Sequence, residues 1–408
     1  MRGIKHQHIV ITEGVIALIF LGLIYAWSIF RVPLSEVFPS WTPTQMSATF
    51  SISIIFFCIG GFLAGKISLV VNHRMVFIIS AASLCLGFIL LFALIDDNKF
   101  LSSLIVLYVF YGIFVGLGVG IAYNALLGIV VRWFPGKVGL ASGILLLGFG
   151  VGGLLLGKFI DILSKSIGIN NTFLVLGIVL PAIIIFIALS IKKPKSSQYR
   201  DAIEDNSKGI VNDVTLKTAT SKPTFWIIFV WNIFMSTGGL LVINSAVLIA
   251  LSFGMVAVMG LIVSVFNGIG RPLIGCIMDI VGRKTTMMIN TLLLIVAGMI
   301  LTIGSLSQNV IFIYIGLPLI GICYGGAPTL LSAVINKFYG ELNYQVILAA
   351  ATFSLAISAI VGPMISSRLQ EISNGEYFSS FVMLIVVGLI ALCFCLQISR
   401  YATKEGLE

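Results

Sequence analysis

Charged residues are scarce in this sequence. Lysine, arginine, aspartate and glutamate make up 10% of the 408 residues, whereas hydrophobic residues make up 59%, and the mean hydropathy is +1.14. Because soluble domains are about 25% charged, this composition excludes an ordinary soluble protein and predicts a helical integral membrane protein. The formal net charge of +9 does not indicate a nucleic-acid partner, because the basic residues lie in short loops between apolar segments.

Histidine and cysteine offer no metal or redox site. The three histidines (His6, His8 and His73) lie outside the predicted membrane segments, which argues against a histidine-based metal site. The cysteines all fall within apolar segments, so they are expected to be small core residues rather than disulfides or ligands: Cys58, Cys85, Cys276, Cys323, Cys393 and Cys395. No metal or other cofactor is expected. The N-terminus leads into a long span without a small-residue cleavage site, so no removable signal peptide is expected.

The glycine-rich runs do not form a nucleotide site. Those at 116–120 and 148–153 follow no strand and precede no P-loop lysine, so they are expected to let helices pack closely. No activity driven by ATP is therefore expected. An enzyme would need a catalytic dyad or metal cluster at membrane depth, and a sensor would need a sizeable soluble output domain. The sequence predicts neither.

Twelve apolar segments are long enough to cross a bilayer as helices. A polar linker, 192–222, carries seven basic residues and divides the chain into halves 1–191 and 223–408. The sequence therefore predicts an all-α integral membrane fold of about twelve transmembrane helices in two six-helix bundles. The segments are 9–31, 45–67, 75–95, 101–130, 138–160, 172–191, 224–250, 255–278, 286–306, 310–333, 344–367 and 377–398.

The distribution of basic residues predicts the orientation. Most of the 24 lysines and arginines fall in the termini, the linker and the loops on the same side of the membrane. Because cytoplasmic loops are enriched in these residues, both termini and the linker are expected in the cytoplasm of a multi-pass protein of the cell membrane. The expected partners are the lipid bilayer and a small-molecule substrate, and the expected functional unit is a monomer.

The two halves repeat one another in sequence. Residues 59–65, continuing to a basic pair, match residues 269–275, which reach a basic pair at the same spacing. Residues 120–123 (Gly-Ile-Ala-Tyr) likewise match residues 321–324 (Gly-Ile-Cys-Tyr). Parallel repeats of six spans each are typical of carriers that bind substrate between their halves near the middle of the membrane.

Arg271 lies within the apolar segment 255–278, with no acidic residue in the two preceding helical turns. A guanidinium inside a membrane span costs about 2.5–3.5 kcal/mol to insert, so it usually faces a wet cavity and marks a ligand or ion path. The repeat aligns it with Gly61, so the cation is not duplicated. The sequence favours an anion-binding role, with Asn267 donating from the preceding turn. The alternative is a side chain extended to the lipid headgroups beside Arg283.

Aromatic residues are predicted to complete the site. Tyr123 and Tyr324 are related by the repeat, and we expect them to face each other across the cavity with hydroxyl donors and apolar ring faces. Tyr25 and Trp27 are candidates for capping its outer end. The alternatives are ordinary packing positions for the first pair and an aromatic belt at the membrane surface for the second.

Glu13 is the main acidic residue well within a predicted span, near its cytoplasmic end. It is the candidate proton site, and the alternative is a carboxylate at the membrane interface. The sequence leaves proton symport and antiport both open.

A loop motif in the second half carries a family resemblance. Gly275-x-x-x-Asp279-x-x-Gly282-Arg283, followed by a lysine, resembles the loop motif of the major facilitator superfamily. That resemblance implies a charge network in which the aspartate and basic residues lock the cytoplasmic gate. The first-half copy departs from the motif, because Leu69 and Asn72 stand where the aspartate and glycine would be.

Three further segments resemble the oxalate/formate antiporter family, which is related to monocarboxylate transporters. They are Tyr25-Ala26-Trp27-Ser28-Ile29-Phe30, the Arg-Trp-Phe-Pro-Gly run at 132–136 with 139–143, and Asn-Gly-Ile-Gly-Arg at 267–271. The resemblance implies that Arg271 binds a substrate carboxylate while Asn267 and the tyrosines line the site.

One departure from that family bears on the substrate. Oxalate carriers of the family pair the arginine with a lysine in the eleventh helix. That helix has no lysine in this chain, and Thr352 stands about where the lysine would fall. One cation neutralises one carboxylate, and a second negative charge would enter a low-dielectric site unpaired. The sequence therefore favours a monocarboxylate such as lactate, pyruvate or formate, with oxalate:formate exchange as the alternative.

Overall fold

The computed structural model describes residues 2–68, 70–96, 100–134, 138–192, 214–340 and 343–405. In these ranges eleven helices are long and apolar enough to cross a membrane. One of them, Ala141–Ser190, has 50 residues and would be about 75 Å long, more than twice the hydrocarbon thickness. It breaks at Gly168, whose φ of 81° and ψ of 160° are not helical. With this helix counted as two spans, the predicted all-α fold of about twelve spans is confirmed.

The first half contains six spans, two of which have irregular turns within them. A 3₁₀ turn at Gly22–Ala26 interrupts the first span, and a π-helical stretch at Leu107–Val115 interrupts the fourth. Its helices are α1 (Arg2–Leu21), α2 (Trp27–Val37), α3 (Pro43–Ile67), α4 (His73–Leu94), α5 (Phe100–Val106), α6 (Gly116–Val131) and α7 (Val138–Ser190).

The second half begins after the predicted linker 192–222, most of which (193–213) lies outside the described residues. The described end of the linker forms a short helix that the sequence did not predict. The helices are α8 (Leu216–Ser221), α9 (Pro223–Ser252), α10 (Ala257–Gly260), α11 (Ile262–Val281), α12 (Arg283–Ser307), α13 (Val310–Tyr339), α14 (Tyr344–Ile372) and α15 (Phe378–Lys404).

Local sequence signals explain where several helices begin and end. Thr42 caps α3 with a complete capping box, in which its side chain accepts from the Gln45 backbone and Gln45 accepts from the Thr42 backbone. Gly282 separates α11 from α12 with φ 82°, and Gly340 ends α13 with φ 79°. Glycine adopts this backbone region without steric cost, so these two positions allow the sharp turns.

The halves pack against each other through two equivalent helix pairs. The second span of the first half, α3, packs against the fifth of the second half, α14, and α11 packs in the same way against the first part of α7. This pseudo-twofold arrangement is the spatial form of the sequence repeat. We call the side that carries the α2–α3 loop outer and the side that carries the α6–α7 loop inner, following the predicted orientation.

Small residues allow the closest approach between the halves. A Cβ atom on Gly150 of α7 would collide with the backbone nitrogen of Gly268 of α11, and one on Gly153 would lie 2.5 Å from the Ser264 hydroxyl. Backbone atoms cannot move aside as the end of a flexible side chain can. The crossing of α7 and α11 therefore requires glycine at Gly150, the packing role expected for this run.

Substitution of Gly150 by alanine tests this crossing. The added methyl group is expected to push α11 away from α7 and to loosen the contact between the halves on the outer side. Hydrogen–deuterium exchange in the outer end of α3 should then be faster than in the unsubstituted protein.

Gly65→Ala is the matched control, because a Cβ there meets no atom within 4 Å. Equal exchange in Gly150→Ala and Gly65→Ala would show that the crossing does not hold the outer side together.

Candidate functional site

A cavity of about 210 Å³ lies between the two halves. At its deep end it is lined by Tyr25, Tyr123 and Arg271, and towards the inner side it reaches Arg132 and Asn336. The last two residues lie near the inner ends of α6 and α13. The cavity therefore extends from the middle of the molecule to the inner helix ends.

Arg271 projects into this cavity from α11 and is only 1% exposed. Its guanidinium carbon lies 5.8 Å from the centroid of the Phe149 ring in the opposite half, close enough for a cation–π contact. The Nε and Nη1 donors are buried and have no hydrogen-bond partner among the described residues. The side chain thus stays at the depth of the cavity and is not extended towards the lipid headgroups.

Aromatic rings of the first half form a wall opposite Arg271. The Phe149 ring lies 5.0 Å from that of Tyr25 and 5.1 Å from that of Tyr123, both edge to face. Phe57 adds a third edge-to-face contact with Tyr123 at 5.0 Å. The hydroxyls of Tyr25 and Tyr123 are close enough to the guanidinium to interact with it electrostatically. The wall therefore offers apolar ring faces together with two hydroxyl donors.

Tyr324 closes the deep end of the cavity together with Tyr25. Their hydroxyls are 2.9 Å apart and form a buried hydrogen bond between the halves. The sequence repeat predicted that Tyr324 would face Tyr123. Both line the cavity, but the hydroxyl partner of Tyr324 is Tyr25, which lies in the 3₁₀ turn at Gly22–Ala26.

Two residues predicted for the site do not line the cavity. Trp27 is buried in the first half, 4.8 Å from the Tyr111 ring, because residues two apart on a helix point in roughly opposite directions and Tyr25 takes the cavity side. Asn267 is buried where α11 crosses α13, with its backbone packed on Gly325. Its amide nitrogen and oxygen have no hydrogen-bond partner among the described residues, and its contact with substrate remains a prediction.

The predicted gating residues lie at the inner end of α11. Asp279 is exposed, Gly275 is partly exposed, and Gly282 makes the turn into α12. Arg283 lies over the ring of Phe338, with 5.5 Å between guanidinium and centroid. These positions are near the open end of the cavity, and the predicted lock remains a hypothesis.

Glu13 is half-buried on α1 and does not line the cavity. Its Oε2 atom is buried and has no hydrogen-bond partner among the described residues. The structure therefore places this candidate proton site outside the cavity that Arg271 lines.

Sequence reasoning missed several polar residues that line the cavity. Asn232 of α9 donates from Nδ2 to the Ser354 hydroxyl at 2.6 Å, and Asn124 of α6 follows Tyr123 directly. Each is an asparagine inside an apolar segment, a rare occurrence that usually marks an inward-facing position in a membrane bundle. This signal could have found both residues. Further polar lining residues are Ser236, Ser332 and Asn336.

On the outer side the halves are joined by hydrogen bonds. The Asn244 amide donates to the Ser47 hydroxyl at 2.9 Å, and Ser47 also bonds to Ser367. The backbone nitrogen of Thr44 donates to Glu371 Oε1 at 2.9 Å. The cavity is therefore closed on the outer side and open towards the inner side.

Comparison with known proteins agrees with this architecture. A family model described as the Major Facilitator Superfamily matches residues 15–363, with a second match over residues 233–406. The chain belongs to the major facilitator superfamily. It is a multi-pass membrane transporter and not an enzyme, and the superfamily resemblance of its loop motif is confirmed.

Two relatives are similar over most of the transporter. The oxalate:formate antiporter of Oxalobacter formigenes is 30% identical over 301 residues, covering 71% of this chain and 68% of the relative. The uncharacterized MFS-type transporter YhjX of Escherichia coli (strain K12) is 27% identical over 330 residues, covering 79% and 78%. The predicted resemblance to oxalate/formate antiporters is confirmed.

Solved structures show the same fold. A D-xylose-proton symporter has a TM-score of 0.72 at 17% identity and covers 97% of this chain and 98% of its own. A partially occluded inward open conformation of the xylose transporter XylE from E. coli has a TM-score of 0.71 at 16% identity, with the same coverage. These similarities establish the major facilitator fold.

Gly239→Ala tests the role of the Tyr25–Tyr324 contact. A Cβ on Gly239 of α9 would collide with the Tyr324 ring, so the ring must shift and its hydroxyl bond must break. Loss of one buried hydrogen bond is expected to raise the Km for the transported substrate roughly twofold to tenfold. Uptake kinetics in proteoliposomes would measure this change.

Gly238→Ala is the neighbouring control, because its Cβ would meet the flexible end of Leu294 at 2.7 Å. Tyr25→Phe removes the same hydroxyl bond without adding volume and should reproduce the higher Km. If Gly239→Ala and Tyr25→Phe both kept the original Km, the two hydroxyls would have no part in substrate binding.

Proposed function

We propose that this transporter moves a small monocarboxylate, of the lactate, pyruvate or formate class, by alternating access with Arg271 as the carboxylate anchor. The observation that supports this proposal is the guanidinium of Arg271, which is buried in the cavity with two donor nitrogens lacking acceptors. A planar guanidinium can bind a carboxylate through two parallel hydrogen bonds, so an anion in the cavity would neutralise the charge of Arg271 and accept hydrogen bonds from it.

The charge balance of the cavity supports an anionic substrate. Its charged lining residues are Arg271 and Arg132, and none of the described residues on its wall is acidic. A buried cation without a counter-ion is costly, and the cation–π contact with Phe149 offsets only part of that cost. A carboxylate that enters this cavity replaces water around a charge that the protein itself does not neutralise.

The number of cations at depth supports a single carboxylate. Thr352 lines the cavity at the position where oxalate carriers of the related family have a lysine. Its hydroxyl donates to the Leu348 carbonyl at 2.7 Å, so it presents no positive charge. With Arg271 as the deep cation, one carboxylate is paired and the rest of a small substrate contacts the aromatic wall.

Oxalate:formate exchange is the second candidate, favoured by the 30% identity with the oxalate:formate antiporter. In that case the second carboxylate of oxalate would need another cation on the cavity wall. The other cation that lines the cavity among the described residues is Arg132, which lies at the inner end of the cavity and not beside Arg271.

In the proposed topology the protein is a carrier of the cell membrane with both termini in the cytoplasm. Its two bundles are residues 1–191 and 223–408. The cavity then opens to the cytoplasm, because it reaches Arg132 at the inner end. Alternating access would close this side through the segment with Asp279 and Arg283 and would open the outer hydrogen-bonded contact. Antiport needs no proton-binding residue, whereas in proton symport Glu13 would be the residue that binds the proton.

Substitution of Arg271 tests the proposed function. Proteoliposomes with Arg271→Ala should lose more than about 99% of labelled lactate, pyruvate or formate uptake, because charge-assisted hydrogen bonds are among the strongest. Arg271→Lys keeps the charge without the fork and should retain a small fraction of the rate.

Lys165→Ala is the charge-matched control, because Lys165 makes only an exposed ion pair with Asp161 at 2.9 Å, a kind of contact worth little. Uptake that is undiminished in both Arg271 variants would remove this residue from the mechanism. If the unsubstituted protein took up none of the test anions, this result would contradict the proposed substrate class.

Thr352→Lys separates the two candidate substrates. A second cation in the cavity should create or strongly increase counterflow of labelled oxalate in vesicles loaded with oxalate, because both carboxylates are then paired. Thr352→Met introduces a side chain about as long as that of lysine but without charge, so it should not increase oxalate counterflow. If the unsubstituted protein showed as much oxalate counterflow as Thr352→Lys, the antiporter assignment would be favoured instead.

A further inference from the structure

A second arginine is buried between the halves, outside the cavity. Arg31 of α2 is 2% exposed and lies at the outer side of the molecule. Its Nη1 donates to the Asn244 carbonyl at 3.2 Å and to the Ser245 hydroxyl at 3.5 Å. Both acceptors belong to α9 in the opposite half. Its Nε atom is buried without a hydrogen-bond partner among the described residues.

No described acid neutralises Arg31. The ion pairs found in the described part of the chain join Lys165 to Asp161 and Arg368 to Glu371. The nearby Tyr377 hydroxyl interacts electrostatically with the guanidinium, but the reference pKa of a tyrosine hydroxyl is about 10. This hydroxyl is therefore neutral at physiological pH. The buried positive charge is held only by neutral groups, an arrangement that leaves much of its desolvation cost uncompensated.

The position of Arg31 connects it to the outer closure. Asn244, whose carbonyl accepts from Arg31, also donates its side-chain amide to Ser47. When the halves separate on this side, the guanidinium loses both acceptors at the moment when the outer path opens. Arg31 lies six positions after Tyr25, roughly 9 Å along a helical span. Arg31 therefore lies on the outer side of the Tyr25–Tyr324 contact that closes the cavity.

We propose that Arg31 is an outer capture site for the substrate carboxylate, occupied in the outward-facing conformation before the anion reaches Arg271. The proposal rests on the proposed function, because it assumes a transported carboxylate. Entering anions replace the neutral α9 acceptors around Arg31. Passage of the anion to Arg271 frees the guanidinium to bond again with Asn244 and Ser245, which closes the outer side behind the substrate.

The alternative role is a purely structural latch, and the two roles predict opposite kinetic effects. Removing a latch favours the outward-facing conformation, so the Km measured from the outer face falls and the Km from the inner face rises. Removing a capture site weakens anion binding at the outer entrance, so the outer Km rises while the inner Km does not. The sign of the change in outer Km therefore distinguishes the roles.

Arg31→Gln is the decisive variant, because glutamine can still donate to the Asn244 carbonyl but carries no charge. In vesicles of defined sidedness we expect its outer Km for the transported monocarboxylate to rise about tenfold. The outer Km of the unsubstituted protein should increase with ionic strength, and that dependence should flatten in Arg31→Gln. The outer Km of Arg31→Lys, which keeps the charge, should lie between those of the unsubstituted protein and Arg31→Gln.

Lys165→Gln controls for general surface charge, since Lys165 lies near the break of α7 at Gly168 on the outer side and its side chain is 72% exposed. It should leave the outer Km within a factor of about two. An unchanged or lower outer Km in Arg31→Gln, with normal carboxylate uptake by the unsubstituted protein, would overturn the capture site alone. Absence of carboxylate uptake by the unsubstituted protein would overturn the proposed function and the capture site with it.

Discussion

The arrangement of the site depends on one uncompensated charge, the guanidinium of Arg271 in the middle of an apolar bundle. A charge at that depth is tolerated only where water or a counter-ion can reach it. The cavity between the halves provides that access, and the ring of Phe149 stabilises the cation in part. The residues around it are neutral, so its counter-ion must come from the cavity and not from the protein.

The contacts that close the outer side are weak individually and easily exchanged with water. Little free energy is lost when water replaces the partner in hydroxyl and amide hydrogen bonds such as those of Ser47 and Asn244. At Gly150 the two helices are held together by close packing. A closure of this kind can open without breaking a strong ion pair.

The sequence predicted the fold closely because its signals are strong over long segments. Apolar runs identified the spans within a few residues, and the Gly168 break explains why two predicted spans appear as one long helix. The site was harder to predict. Arg271 was visible as a charge in an apolar run, whereas the pairing of Tyr324 with Tyr25 depends on the 3₁₀ turn at Gly22–Ala26, which no local pattern indicated. Trp27 was assigned by proximity to Tyr25, although helix geometry turns it the other way.

The repeat places Gly61 on the same cavity as Arg271, its counterpart in the other half. A Cβ on Gly61 would meet only ordinary contacts, the nearest being Asn124 Nδ2 at 3.6 Å, so close packing does not require glycine there. The duplicated scaffold thus presents a cation on one side and free space beside an aromatic wall on the other. Charge pairing is strong and directional, whereas contact with ring faces is weaker and tolerates sliding. An anion held in this way would remain with the second half during rocking, while the aromatic wall of the first half moves across it.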